Sequence, residues 1–163
     1  MRDIYYRYTD LVEPFGMDEC WLDVTGSRAL FGDGEQIAQK IRQAAKEELG
    51  LTVSIGVSFN KIFAKIGSDM KKPDAVTVIS RDNYKQLVWP LPVSDLLFVG
   101  RSTASRLEKI AVHTIGDLAN TDVNILCQHL KKHGEDMWKS ANGLDDALVI
   151  AEQPANKGYG NSV

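Results

Sequence analysis

The stretch FGMDECWLDVTG, residues 15–26, decides how the first half of this chain folds. Residues 20–25 alternate apolar and polar side chains, a pattern typical of a half-buried β-strand. Two adjacent carboxylates, Asp18 and Glu19, come directly before this strand. Acidic side chains are seldom buried without a compensating partner. The role of Asp18 and Glu19 must therefore be inferred from the residues around them.

The acid pair is compatible with two structures. Along an ideal strand, consecutive side chains point to opposite faces, but at a turn or strand start both carboxylates can converge on one site. Carboxylates that lie close together repel unless they share a proton or a divalent cation neutralises them. Mg²⁺ is typically bound by one or two carboxylates together with phosphates and waters. The pair therefore indicates either a magnesium site or an acidic dipeptide solvated in a turn.

Downstream of the acid pair, helical and strand-like patterns alternate up to about residue 88. The predicted elements are a helix over residues 35–49, a strand over 51–57, a helix capped by Ser58 or Asn60 and reaching about Lys71, a strand over 75–79 and a helix over 82–88. Pro73 ends the second helix because a proline forces the preceding residue out of the helical conformation. This order predicts a layered α/β or α+β sheet domain.

Residues 58–74, SFNKIFAKIGSDMKKPD, are locally basic in a chain whose net charge is −3. At about 100° per residue, Lys61, Lys65 and Lys72 fall within a narrow arc of one helix face. A polyphosphate is one partner for such a face. A solvated amphipathic helix is the alternative.

The second half has only short helical patterns, which follow a proline-containing segment, residues 89–93, that predicts a linker. Residues 96–120 predict two short helices around a tight Val-Gly-Arg-Ser turn. Such a helical hairpin can direct backbone N–H groups at a phosphate oxygen. A plain helical connection is the alternative. The polar, glycine-containing residues 153–163 predict an extended linker.

Composition limits the location and the class of protein. No apolar run approaches the ~20 residues that span a bilayer, and the N-terminus lacks the layout of a secretory signal. The two cysteines, Cys20 and Cys127, lie far apart and in no metal-ligand spacing, which is typical of a reducing compartment. We therefore expect a cytoplasmic protein with no membrane partner.

Taken together, these stretches resemble the Y-family (translesion) DNA polymerases, the bacterial polymerase IV and V type also called the ImpB/MucB/SamB family. The matching segments are YTDLVEPFGMDECWLDVTGS, SIGVSFNKIFAKIGSDMKKPD, VGRSTASRLEKIAVHTIGDLA and NKGYGNS. They occur in the family's order and cover nearly the whole chain.

The resemblance implies an α+β fold in two parts. Residues 1–80 resemble the C-terminal part of the palm, a small β-sheet packed by helices in which the chemistry occurs. Residues 81–152 resemble the thumb, a small all-α domain with a helix-hairpin-helix-like motif that grips DNA. Residues 153–163 resemble the start of the linker to a little-finger domain.

The resemblance also implies functional residues and partners. Asp18 and Glu19 take the positions of family carboxylates that hold catalytic Mg²⁺, and Lys72 that of a lysine contacting the incoming triphosphate. The implied partners are primer–template DNA and a dNTP, with a sliding clamp bound through C-terminal parts that this chain does not contain. The implied DNA-binding residues of the hairpin are Gly100, Arg101, Ser102 and Thr103.

Three positions depart from the family pattern. The family's usual serine before the acid pair is Gly16, its KPNG is KPDA at residues 72–75, and the second glycine of its hairpin is Ser102. We expect the second change to remove a glycine that eases the turn. We expect the third to remove one backbone–phosphate contact.

Family members also carry a first metal-binding Asp on a strand N-terminal to these segments, followed by the fingers domain. The resemblance therefore predicts a fragment of a DNA-directed DNA polymerase, either cut from a complete protein or a truncated gene product, that is inactive alone. Its acid pair should be exposed and metal-free or nearly so. The alternative is a non-catalytic DNA-binding or partner-binding module derived from such a polymerase.

Overall fold

A computed structural model describes residues 1–151, with strands and helices in the first half and helices in the second. The elements of the first half are α1 (Arg2–Tyr6), β1 (Val12–Phe15), β2 (Glu19–Leu22), α2 (Arg28–Phe31), α3 (Gly34–Leu49), β3 (Ile55–Ser58), α4 (Lys61–Met70) and β4 (Val76–Ile79). Those of the second half are α5 (Tyr84–Leu87), α6 (Arg101–Glu108), α7 (Ile115–Asn120), α8 (Val123–Leu130) and α9 (Lys132–Ala141). Short 3₁₀ turns occupy Thr25–Ser27 and Val93–Asp95. In the described part, no helix is both long and apolar enough to cross a bilayer.

The strands form two small sheets in the described part of the chain. β1 and β2 pair antiparallel with Phe15 opposite Glu19, so residues 16–18 form the loop of a tight hairpin. Gly16 begins this loop with φ +68°, a conformation that glycine adopts without steric cost. β3 and β4 pair in parallel, with Ile55 opposite Val76. Glycine at position 16 therefore suits the turn that presents the acid pair.

Helix α3 begins and ends where local signals place it. The Asp33 carboxylate accepts a hydrogen bond from the Gln36 backbone N–H (2.8 Å), and the Gln36 side chain accepts one from the Asp33 N–H (2.9 Å), which completes a capping box. Gly50 ends the helix in the left-handed conformation at φ +65°, as is common at helix C-termini. The apolar stripe of α3, which includes Ile37 and Ile41, packs with Ile4 in a small core.

Helix α4 packs on strand β3 and also contributes side chains to the larger of the two cores. Its N-cap is Asn60, whose side-chain oxygen accepts a hydrogen bond from the Phe63 backbone N–H (2.8 Å). The helix packs closely on β3, where Gly56 meets its backbone. Its apolar face, with Ile62 and Ile66, belongs to the larger core. The helix therefore joins the sheet half to the helical half.

The two halves share that larger core. It combines residues of the first half such as Phe63 and Ile79 with residues of the helical half such as Leu107 and Leu118, all at most 1% exposed. The segment 89–93, predicted to be a linker, does connect the halves but is itself packed: Trp89 donates a hydrogen bond from Nε1 to the Ala141 carbonyl (3.1 Å). Because buried side chains of both halves belong to one core, the halves form one packed unit.

The turn after α4 shows why the KPDA departure is tolerated. The left-handed residue of this turn is Asp74, with φ +56°, and not Ala75. Its carboxylate lies 3.1 Å from an Arg42 guanidinium nitrogen and 3.3 Å from Lys46 Nζ. Asp is one of the residues that adopt this conformation most readily. The left-handed conformation of this turn therefore falls on Asp74, and the family's glycine at position 75 is not needed for it.

Candidate active site

The acid pair lies at the tip of the β1–β2 hairpin. Asp18 is the last loop residue, is exposed, and makes no side-chain hydrogen bond or ion pair within residues 1–151. Glu19 begins β2 and is half-buried, and its Oε1 lies 2.9 Å from Lys65 Nζ. The expected exposure thus holds for Asp18 but not for Glu19, because α4 brings a lysine against the hairpin.

A chain of alternating charges starts at Glu19. Lys65 Nζ donates hydrogen bonds to Glu19 and, at 2.6 Å, to Asp69, and Lys72 Nζ lies 2.8 Å from the other oxygen of Asp69. Burial alone would lower the pKa of Lys65, but its two carboxylate partners outweigh burial and hold this pKa above its ordinary value. Burial would likewise raise the pKa of Asp69, but the two lysines lower it overall. Both groups therefore stay charged at neutral pH.

Three members of this chain of charges, Glu19, Lys65 and Lys72, line one cleft. The cleft, of about 440 Å³, is lined by Asp18, Glu19, Lys65 and Lys72, together with residues of β2, β3 and α3. Within residues 1–151, neither β2 nor β3 has a ladder partner on its second edge. The structure therefore places the acid pair and Lys72 around one cleft and adds Lys65, which sequence reasoning had placed only on a basic face. The roles that the resemblance implies for these residues stay predictions.

Lys61, the first residue of α4, forms an ion pair with Glu13 and not with the acids of the cleft. Its Nζ lies 2.7 Å from both carboxylate oxygens of Glu13 and 4.6 Å from the centre of the Trp21 ring. It also donates a hydrogen bond to the Leu148 carbonyl (3.2 Å), and the Glu13 carboxylate accepts one from the Ile150 N–H (2.7 Å). Lys61 does not line the cleft. It holds the segment that follows α9 against the hairpin, a role that its helical spacing did not reveal.

The Glu13–Lys61 pair makes a testable contribution to stability. Burial raises the pKa of Glu13, but the hydrogen bonds from Lys61 and from the Ile150 N–H hold this pKa below its ordinary value. The stabilisation is therefore present above the ordinary pKa of Glu and is lost as the pH falls through the lowered one. We expect Glu13→Gln to lower the free energy of unfolding by about 1–2 kcal/mol at neutral pH, as measured by urea denaturation.

The difference between Glu13→Gln and the unsubstituted chain should shrink between about pH 5 and about pH 3. Other carboxylates titrate in the same range, but their effects cancel in this difference. Glu135→Gln is the matched control, because Glu135 pairs with Lys139 at 2.6 Å on an exposed helix face and such pairs contribute little. A difference that stays constant with pH would contradict this role of Glu13.

The predicted DNA-binding residues lie at the start of α6, outside the lining of the cleft. Gly100 is the N-cap and has no side chain to cap the first turn, so the N–H groups of residues 101–103 point away from the helix without a side-chain partner. Arg101 and Ser102 are exposed. These features are those of an anion-binding helix start, and the role of residues 100–103 stays a prediction.

The acid pair suits a hard divalent cation. Among residues 1–151, Asp18 has no hydrogen-bond or ion-pair partner and Glu19 contacts Lys65 through Oε1 only, so carboxylate oxygens remain available within that part of the chain. No group of three or more histidine, cysteine, aspartate or glutamate side chains comes together within the described 151 residues. The pair can thus supply two carboxylate ligands, a number that Mg²⁺ commonly takes from a protein when phosphates supply others.

Comparisons with known proteins agree with this arrangement. Residues 1–69 match the impB/mucB/samB family model. DNA polymerase IV of Acetivibrio thermocellus is 56% identical over 165 residues, which cover 99% of this chain and 41% of that protein. DNA polymerase IV of Clostridioides difficile is 42% identical over 149 residues, which cover 91% of this chain and 41% of that protein.

The solved structures that match this chain include DNA polymerases as well. A Y-family DNA polymerase chimera, Dbh-Dpo4(243-245)-Dbh, matches with a TM-score of 0.81 at 28% identity, over 91% of this chain and 44% of its own. An insertion ternary complex of Dbh DNA polymerase matches with a TM-score of 0.80 at 28% identity, over the same shares of the two chains. The α+β class expected from the sequence is therefore confirmed.

In both sequence and fold, this chain is similar to part of the Y-family DNA polymerases, so the resemblance is confirmed. Within that family, the curated relatives named above are bacterial DNA polymerases IV. This chain spans about two fifths of their length.

Proposed function

We propose that this chain is the part of a Y-family DNA polymerase that carries two metal-binding carboxylates, a triphosphate-binding lysine and a DNA-gripping helical hairpin. The whole protein would catalyse template-directed nucleotidyl transfer in DNA damage tolerance. The observation that carries the proposal is the cleft shared by Asp18, Glu19 and Lys72. The polymerase names of the relatives support it.

Each residue of the cleft has a distinct role in this proposal. Asp18 and Glu19 would hold Mg²⁺, which when bound activates the primer 3′-oxygen and neutralises charge on the triphosphate and its leaving group. Lys65 keeps the Glu19 carboxylate in position through the ion pair at 2.9 Å. Lys72, which is 56% exposed and paired with Asp69, would exchange that surface partner for the phosphate oxygens of the dNTP.

The proposed partners and domains follow from the same role. Residues 1–80 would form the C-terminal part of the palm and residues 81–152 the thumb, with Gly100–Thr103 on the phosphates of primer–template DNA. Residues 153–163, predicted to begin a linker, lie outside the described residues. A sliding clamp would bind parts of the polymerase other than this segment, and the proposed location is the cytoplasm.

A chimera tests the proposal. The matching 165 residues of the Acetivibrio thermocellus polymerase are replaced by this chain, and primer extension is measured with and without Mg²⁺. We expect template-directed, Mg²⁺-dependent extension, because the acid pair and Lys72 would be placed beside the rest of a polymerase. A chimera that folds by circular dichroism and binds DNA but does not extend primers would favour the alternative, a non-catalytic DNA-binding or partner-binding module.

The role of Lys72 is tested in the same chimera. Lys72→Ala should raise the KM for dNTP about tenfold, the loss of one charge-assisted hydrogen bond to phosphate, and change kcat less. Lys71→Ala is the matched control, since Lys71 is the exposed neighbour of the same charge and does not line the cleft. Equal effects of the two substitutions would show that Lys72 has no special place at the triphosphate.

A further inference from the structure

Phe98 stands out in the turn that leads into α6. Its backbone adopts the left-handed conformation, with φ +69°, and its side chain is 67% exposed. Both anchors of the turn are buried, Leu96 at 2% and Val99 at 8% exposed, and the Val99 N–H donates a hydrogen bond to the Leu96 carbonyl (3.1 Å). The turn is therefore held firmly and presents the Phe98 ring to solvent.

Phe98 contributes little to the stability of this turn. A side chain larger than glycine is sterically disfavoured in the left-handed conformation, and an exposed ring gains only part of the free energy of apolar burial. Glycine would satisfy the same backbone without either cost. A residue that is both strained and exposed points to a role in binding.

The groups next to Phe98 indicate what kind of ligand this surface would bind. Two residues further on, Gly100 begins α6 with an uncapped first turn, and the exposed Arg101 adds a positive charge. A ligand for this surface must combine negative charge with an apolar face at close spacing. The backbone of DNA does so, because phosphates alternate with deoxyribose rings, and both are contacted by DNA-binding proteins.

We propose that Phe98 packs on a deoxyribose of the DNA strand whose phosphate is bound at the first turn of α6. Phe98 is then a positioning residue that fixes where the DNA strand lies along the helical hairpin of residues 96–120. The inference rests on the proposed function, since it takes DNA as the partner of residues 100–103. It adds a contact made by apolar surface, which releases no counterions and so differs in its salt dependence from a phosphate contact.

The test uses the full 163-residue chain and a fluorescent DNA duplex, with binding followed by anisotropy over a range of salt concentrations. Phe98→Gly should weaken binding roughly fivefold, leave the slope of log K against log salt unchanged, and leave the Tm unchanged or raised. Arg101→Ala should weaken binding and reduce that slope by about 1. Leu30→Ala is the control, because Leu30 is an exposed apolar side chain on α2.

The outcomes separate this inference from the proposed function. If Arg101→Ala weakens binding and Phe98→Gly does not, the helical hairpin of residues 96–120 binds DNA and only the role of Phe98 is wrong. If neither substitution changes binding, or the unsubstituted chain binds no duplex at low salt, the DNA-binding part of the proposed function fails too. If Phe98→Gly weakens binding no more than Leu30→Ala but dissociates a dimer in sedimentation, the ring covers a second copy of the chain and the inference is overturned.

Discussion

Replacing Asp18 by asparagine in the chimera is expected to lower the rate of primer extension at least about 100-fold. A catalytic metal ion supplies several kcal/mol of transition-state stabilisation, and each 1.36 kcal/mol corresponds to about a factor of ten in rate. An amide keeps the size of the side chain and removes the charge that Mg²⁺ requires. Because Asp18 is exposed and has no side-chain partner within residues 1–151, the Tm should not change.

Glu19→Gln should lower extension to a similar degree and should also weaken the link to Lys65, which lies 2.9 Å from Glu19. A modest fall in Tm is therefore expected for this variant alone. Asp82→Asn is the matched control, since Asp82 is an exposed acid that does not line the cleft. Extension by Asp18→Asn at more than about a third of the unsubstituted rate would rule out a metal-binding role for Asp18.

Gly56→Ala should have the largest effect on folding. A Cβ at this position would lie 1.8 Å from the Ala64 carbonyl oxygen and 2.6 Å from the Ser68 backbone nitrogen. Both atoms belong to the backbone of α4, which cannot move aside as a flexible side chain can. We expect the free energy of unfolding to fall by at least about 3 kcal/mol, as measured by urea denaturation followed by circular dichroism.

The large effect follows from the position of α4 between two packed surfaces. Its other face carries Phe63, which is fully buried in the core shared with the helical half, so moving the helix away from β3 would disturb that core. Gly26→Ala is the control, because no atom lies within 4 Å of a Cβ built there, and its effect should stay within about 1 kcal/mol. Equal stabilities of the two variants would contradict the close approach of β3 and α4.

Much of the fold could be read from local signals. The end of α3 before Gly50 agrees with the structure, and Asn60 is the one of the two predicted caps, Ser58 and Asn60, that begins α4. Such signals are local because a cap or a left-handed glycine acts on a single helical turn. Strand bounds were less accurate: residues 51–57 were predicted where β3 is Ile55–Ser58. A strand ends where its partner ends, and the partner of β3 is β4, about twenty residues further along the chain.

The candidate site was predictable only in part. Asp18, Glu19 and Lys72 were identified through the family resemblance, and the structure does place them around one cleft. The roles of Lys61 and Lys65 were missed because both depend on acids about fifty residues away in sequence, on the hairpin. Phe98 was missed because a phenylalanine in a turn carries no local signal that its backbone is left-handed.

The sequence by itself determined the alternation of helix and strand from α3 to β4 and the acid pair at a strand start, because caps, breakers and periodicity act over a few residues. It did not predict α1, β1 or α2, and it indicated the polymerase family only through the resemblance of its motifs. Only the tertiary structure decided which charges meet. Two lysines one helical turn apart on α4, Lys61 and Lys65, serve different purposes: one holds the segment after α9 to Glu13, and the other joins Glu19 at the cleft. An ion pair requires its atoms to lie within a few ångströms of each other, and that distance is set by how the hairpin packs on α4.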